Sequence, residues 1–114
     1  MSYRAEMLQQ YAWLDHETAP KMLRAALDLY GIKETIGEKH NPVIMGWAST
    51  LGLRDYKSDE IAWCGLFVAW LAHVSGKEPV TNPLWARNWA AWGKESKPEL
   101  GAVLVFKRGT GGHV

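Results

Sequence analysis

The chain has 114 residues, of which 47% are hydrophobic and 22% are charged, and its formal net charge is +1. This length fits one domain with a modest core. The near-neutral charge does not suggest a polyanionic partner, so we expect no binding to nucleic acid.

Cysteine usage and hydropathy exclude further classes of protein. The single cysteine cannot form an internal disulfide, which argues against a disulfide-stapled secreted scaffold. Residues 1–19 show no basic segment followed by a long apolar core, so we recognise no Sec-type signal peptide. The apolar runs are too short for a membrane span. We therefore expect synthesis in the cytosol, with any export following another route.

The first half of the chain has the pattern of three helices. Apolar residues at helical spacing predict a short amphipathic helix over residues 3–15. A second helix is expected from the cap residue Thr18 to Gly31. Asn41 followed by proline predicts the start of a third helix, which should end near Gly52.

A fourth helix is expected from Glu60 to Ser75, with Ser58 or Asp59 as its N-cap. Its apolar residues cover most of its circumference, which is typical of a central, buried helix. A fifth helix should follow over residues 82–92, where three tryptophans form one stripe.

The end of the chain has the pattern of a sheet. Residues 102–106, AVLVF, are apolar and branched enough for a buried strand. KRGTGG then reads as a flexible loop, and a second strand should begin near His113. The order of elements predicts an α+β fold, with a helical N-terminal part packed on a small antiparallel sheet. Because one clear strand cannot form a stable sheet, we expect the sheet to be truncated at the C-terminus.

Cys64, the only cysteine, lies at the front of the fourth predicted helix, in DEIAWCGLFVAWLAH. Unpaired backbone N–H groups and the helix dipole favour negative charge there. A thiol in that position is expected to ionise more easily, which makes it a better nucleophile, and the same N–H groups could stabilise an oxyanion beside it. The alternative is a buried cysteine that serves only as a small apolar side chain.

Four histidines are candidates for the base that such a thiol needs. His73 is nine residues after Cys64, about half a turn away around the helix, and should lie at the surface or the edge of the core. His16 and His40 lie in polar connections and fit ordinary solvated side chains. His113 follows the predicted strand and would face a helix packed on the sheet, unless it is a frayed terminal residue.

Three stretches carry a resemblance to a known family: NPVIMGWASTLGLRDYKSDEIAWCGLFVAWLAHVSG, then ARNWAAWG, then PELGAVLVFKRGTGGHV. With their Trp-Cys-x-x-Phe-Val and Gly-His-Val motifs, they resemble NlpC/P60-type cysteine peptidases, in particular the branch found in phages and prophages. The resemblance extends from about Met22 to Val114. It implies a papain-like peptidase domain over residues 19–114, with residues 1–18 as an N-terminal helical extension.

The resemblance also implies an activity. It implies Cys64 as nucleophile, His113 as general base, and hydrolysis of an amide bond in the stem peptide of bacterial peptidoglycan, without metal or cofactor. A phage lysin or a delivered effector of this kind would reach the periplasm or cell wall by a non-Sec route. The family's third catalytic residue, on the next strand, has no counterpart before the sequence ends at Val114. Three explanations stay open: the sequence is a truncated piece of a longer protein, it is a natural remnant of a longer gene, or a partner chain or a second copy completes the exposed sheet edge.

An alternative function is a non-catalytic module that binds peptidoglycan or peptide, or an inactive remnant that associates with a partner chain. In that interpretation four tryptophans would line a binding groove: Trp47, Trp85, Trp89 and Trp92. The opposing interpretation places them in the core, which their helical spacing favours over residues 85–92.

Overall fold

The computed structural model of the chain describes residue 9 and residues 21–35, 40–58 and 61–114. These residues form three α-helices, one 3₁₀ helix and one antiparallel hairpin, so the predicted α+β class is confirmed. The elements, in chain order, are α1 (Lys21–Asp28), α2 (Pro42–Thr50), α3 (Cys64–Val74), the 3₁₀ helix (Ala86–Ala91), β1 (Phe106–Arg108) and β2 (Gly111–His113).

Several predictions fall on residues outside the described part of the chain. They are the helix over residues 3–15 (only Gln9 is described), the histidine His16, the cap residue Thr18 and the alternative N-cap Asp59.

Helix α3 is the centre of the fold, as its sequence predicts. Helices α1 and α2 both pack against it, and so does the 3₁₀ helix. Most of its residues are buried, whereas Val74 in its last turn is exposed. The buried apolar side chains form two clusters that share α3. One cluster contains Met22, Val68, Ala69, Leu71, Ala72 and Trp89, and the other contains Ile44, Trp47, Ala48, Tyr56 and Leu66.

Helix α2 begins as predicted. Asn41 is its N-cap, and the Asn41 side chain accepts a hydrogen bond of 2.8 Å from the amide of Val43. The same side chain donates through Nδ2 to the Lys33 carbonyl at 2.8 Å, which ties the preceding loop to the helix. Gly52 follows the helix with a φ of +72°, a conformation that glycine adopts without steric cost.

The predicted start of α3 is wrong. The helix begins at Cys64 with Trp63 as its N-cap, and Ile61 is already outside it. The Tyr56 hydroxyl donates a 3.1 Å hydrogen bond to the Ile61 carbonyl, while the Trp63 ring packs against Trp47. These contacts come from outside the segment, which is why local sequence does not reveal that the helix starts late.

The α-helix predicted over residues 82–92 is also wrong. Asn82 has a φ of +54°, and helical structure begins only at Ala86, as a 3₁₀ helix. The Pro83 carbonyl accepts a 2.9 Å hydrogen bond from Trp89 Nε1 instead of taking part in a helical ladder. Gly93, with a φ of +75°, follows the C-cap residue Trp92.

The strand predicted over residues 102–106 is wrong in its position. Residues 102–105 have no ladder partner, although Val103 and Val105 pack against the core. The ladder instead pairs residues 106–108 with residues 111–113, so that Phe106 lies opposite His113. KRGTGG, which is predicted to be a loop, therefore supplies most of the ladder and its turn. Gly109, with a φ of +57°, opens a two-residue turn that lets the strands pair. A buried extended segment and a strand share the same alternating pattern, so the pattern does not locate the ladder.

Gly65, the second residue of α3, is where the helix meets the segment before the 3₁₀ helix. A Cβ atom on Gly65 would overlap the Pro83 carbonyl oxygen and lie 3.2 Å from the carbonyl carbon of Leu84. The blocking atoms belong to the backbone, so a rotamer change cannot relieve the overlap. Glycine at this position therefore allows the close approach.

We expect Gly65→Ala to lower the free energy of unfolding by about 1–3 kcal/mol, because the added methyl group overpacks against backbone. Gly46→Ala is the matched control, since Gly46 lies within α2 and its Cβ would meet nothing within 4 Å. That control should be more stable than the parent by about 0.5–1 kcal/mol. Urea denaturation followed by circular dichroism measures both; equal stability of the two variants would contradict the packing described.

Candidate functional site

Cys64 is the first residue of α3; it is a free cysteine, and the residue is partly exposed. The N-cap residue Trp63 makes no side-chain hydrogen bond to the helix. The amide groups of the first turn therefore lack the usual capping partner, and the positive end of the helix dipole lies beside the sulfur. This end of the helix is suited to hold negative charge on a sulfur or on a substrate oxygen.

An aromatic cluster anchors the start of α3. The Trp47 ring is buried at 3% exposure, and its centroid lies 6.0 Å from that of Trp63 and 5.6 Å from that of Phe67. Trp63 precedes Cys64 and Phe67 follows it by one turn. The thiol therefore projects from a backbone that is held on both sides of it by large, packed rings.

The segment before the 3₁₀ helix crosses this end of α3. Pro83 and Leu84 lie against Gly65, the residue after Cys64. Trp89, buried at 2% exposure, holds Pro83 through its indole N–H. The sequence does not predict this contact. Gly65, directly after Cys64 at the helix start, is the only local residue that indicates a close approach there.

His113 is half-buried at the end of β2, opposite Phe106 in the hairpin. It ends a strand, where the sequence predicted the beginning of one. The hairpin packs against the 3₁₀ helix at Gly112, where a Cβ would overlap the methylene groups of Arg87. On the other side of His113, Val114 packs against the core cluster to which α3 contributes.

The same short segment thus connects the two predicted catalytic residues. Residues 83–84 contact the neighbour of Cys64, and Arg87 contacts the neighbour of His113. No hydrogen bond joins Cys64 and His113 in the described part of the chain. Their pairing stays a prediction.

Two other histidines lie in the described ranges. Ser58 Oγ lies 3.5 Å from Nδ1 of His40, which links two loops. His73 is exposed in the last turn of α3, and its ring centroid lies 5.7 Å from that of Trp70. The prediction that His73 lies at the surface is confirmed.

The tryptophans proposed to line a groove divide into two sets. Trp47 and Trp89 are core residues, and Trp92 packs edge-on against Trp89 at 5.1 Å. Trp85 is 74% exposed, so the predicted single stripe of residues 85, 89 and 92 is wrong. The stripe assumed an α-helix, whereas Trp85 is the extended N-cap of a 3₁₀ helix.

Within the described ranges, no group of three or more histidine, cysteine, aspartate or glutamate side chains is arranged to hold a metal ion. None of the helices in those ranges combines the length and the hydropathy that crossing a membrane requires.

Comparisons with known proteins leave the family unassigned. No family model matches the chain, and no curated protein or solved structure matches it significantly.

We expect Trp89→Phe to destabilise the protein by about 1–3 kcal/mol, because it leaves the buried Pro83 carbonyl without its donor. Trp92→Phe is the matched control: it removes a 2.8 Å hydrogen bond from Trp92 Nε1 to the Glu78 carbonyl, which lies at the surface. The control should lose less than about 1 kcal/mol, since water replaces the donor. Urea denaturation compares them; a larger loss for Trp92→Phe would contradict the assignment of Pro83 as the buried anchor.

Proposed function

We propose that the chain is a cysteine-dependent hydrolase of amide bonds in the stem peptide of bacterial peptidoglycan, with a papain-like fold of the NlpC/P60 type. The observation that carries the proposal is the position of Cys64, the only cysteine in the sequence. Cys64 is the first residue of a largely buried helix, is partly exposed, and lies beside backbone N–H groups that no N-cap side chain occupies.

The chemistry follows from this position. The Cys64 thiolate attacks a peptide carbonyl carbon, and the first-turn amide of α3 donates to the oxyanion that forms. His113, which has accepted the proton of the Cys64 thiol, gives that proton to the leaving amine, and a water molecule then hydrolyses the thioester, with His113 accepting the water's proton. The free acid leaves and the thiol is restored. These steps use no metal or cofactor.

Support for His113 as the base comes from its surroundings. His113 is half-buried at the end of β2. Of the two residues next to it in the sequence, Gly112 packs against the 3₁₀ helix and Val114 packs against the core. Catalytic hydrogen bonds are commonly long without substrate and shorten when substrate binds. The proposal therefore requires the ring to hydrogen-bond Cys64 Sγ in the substrate complex.

The proposal extends to where the protein acts. Peptidoglycan lies outside the cytoplasmic membrane, so a hydrolase of its stem peptides acts in the periplasm or the cell wall. We propose cytosolic synthesis followed by delivery to the cell wall through a non-Sec route, such as a phage lysis system or an injection machine.

Incubation with purified peptidoglycan tests the activity. The parent chain should release fragments with new amine and carboxyl ends, whereas Cys64→Ala should lose activity at least about a thousandfold, because the nucleophile is absent. His113→Gln should lose about a hundredfold to ten-thousandfold, because general acid–base assistance is lost. His73→Gln, which changes an exposed histidine at the other end of α3, should cleave at the parent rate.

Mass spectrometry of the released fragments measures the rates and identifies the bond that is cut. Equal release by Cys64→Ala would overturn the mechanism. Sedimentation of the parent with insoluble wall, without release, would instead identify the non-catalytic binding module.

A further inference from the structure

Trp85 differs from the other tryptophans that the structure describes. The other five are in contact with another ring, and two of them donate their indole N–H to a backbone carbonyl. Trp85 has neither a ring contact nor a hydrogen bond from its indole, and 74% of it is exposed. A large apolar side chain that stays exposed to water contributes little hydrophobic stabilisation to the fold.

Trp85 lies close to the candidate nucleophile. The carbonyl carbon of Leu84, the preceding residue, lies 3.2 Å from where a Cβ of Gly65 would be, and Gly65 follows Cys64. Trp85 therefore directly follows a residue that packs against the neighbour of Cys64. Its carbonyl is held by the amide of Asn88 at 2.9 Å, so the ring projects from a fixed point.

Arg87, two residues further on, adds a cation to the same segment. Its methylene groups lie across Gly112, beside His113, and the residue is exposed. It takes part in no salt bridge among the described residues, so its guanidinium is available to a carboxylate ligand. An exposed aromatic ring and an exposed guanidinium thus lie along the segment that connects the neighbours of Cys64 and His113.

We propose that Trp85 and Arg87 form the substrate-recognition surface of the Cys64 site, and that this surface takes a short peptide carrying a free carboxylate. This inference rests on the proposed function. The indole face stacks on the peptide planes beside the scissile bond, and the guanidinium pairs with the carboxylate. The peptidoglycan stem peptide, which contains acidic residues and a terminal carboxylate, has this chemistry.

Binding measured without turnover tests the surface. A Cys64→Ala background prevents cleavage, and isothermal titration measures the affinity for a synthetic stem peptide, L-Ala-γ-D-Glu-L-Lys-D-Ala. Adding Trp85→Ala should weaken binding about tenfold, because stacking is lost. Adding Arg87→Met should weaken it about tenfold or more, since the variant keeps the methylene groups on Gly112 but removes the charge.

Matched controls remove exposed groups elsewhere. Val74→Ala changes an exposed apolar residue at the far end of α3, and Arg54→Met changes an exposed arginine after α2. Both should bind like the Cys64→Ala parent. Raising the salt concentration should narrow the difference between Arg87→Met and its parent, but not that between Trp85→Ala and its parent.

The outcomes separate this inference from the proposed function. Unchanged affinity in Trp85→Ala and Arg87→Met, or no binding by their parent, overturns the recognition surface even if the wild-type chain cleaves peptidoglycan. Peptide binding that depends on both residues in a wild-type chain that does not cleave would sustain the surface and overturn the hydrolase.

Discussion

The arrangement of the candidate site depends on the contacts of one backbone group, the Pro83 carbonyl. Its oxygen accepts the indole N–H of Trp89 at 2.9 Å, and it lies against Gly65 at the start of α3. A buried carbonyl without a donor is costly, and a side chain at position 65 would push the segment away. Together these constraints hold the segment before the 3₁₀ helix against the first turn of α3.

The rest of the candidate site is built outward from this contact. The hairpin reaches the 3₁₀ helix through Gly112 and Arg87, so His113 is placed through the same segment that lies beside Cys64. The aromatic cluster of Trp47 and Trp63 holds the other side of the helix start. The thiol, the imidazole and the exposed Trp85 ring are therefore all positioned through packed neighbouring residues.

The two glycines that permit these approaches have the same role in different elements. At Gly65 the blocking atoms are backbone, whereas at Gly112 they are the side chain of Arg87 and the carbonyl of Phe106. Glycine at these two positions lowers the helix and strand propensity of the segments, but it allows the elements to pack closely against each other. The arrangement also leaves Trp85 outside the two core clusters, which between them include the other described tryptophans.

The sequence by itself determined the α+β class, the central burial of α3, the Asn41 cap and the surface position of His73, because each follows from local periodicity or from a capping residue. It also identified Cys64 as a helix-start thiol and His113 as a strand residue. Only the tertiary structure decided that α3 begins at Cys64 itself, since the contacts of Tyr56 and Trp63 set that start. The tertiary structure likewise separated Trp85 from the buried Trp89, because Pro83 is held by the Trp89 indole and by Gly65 rather than by an α-helical ladder.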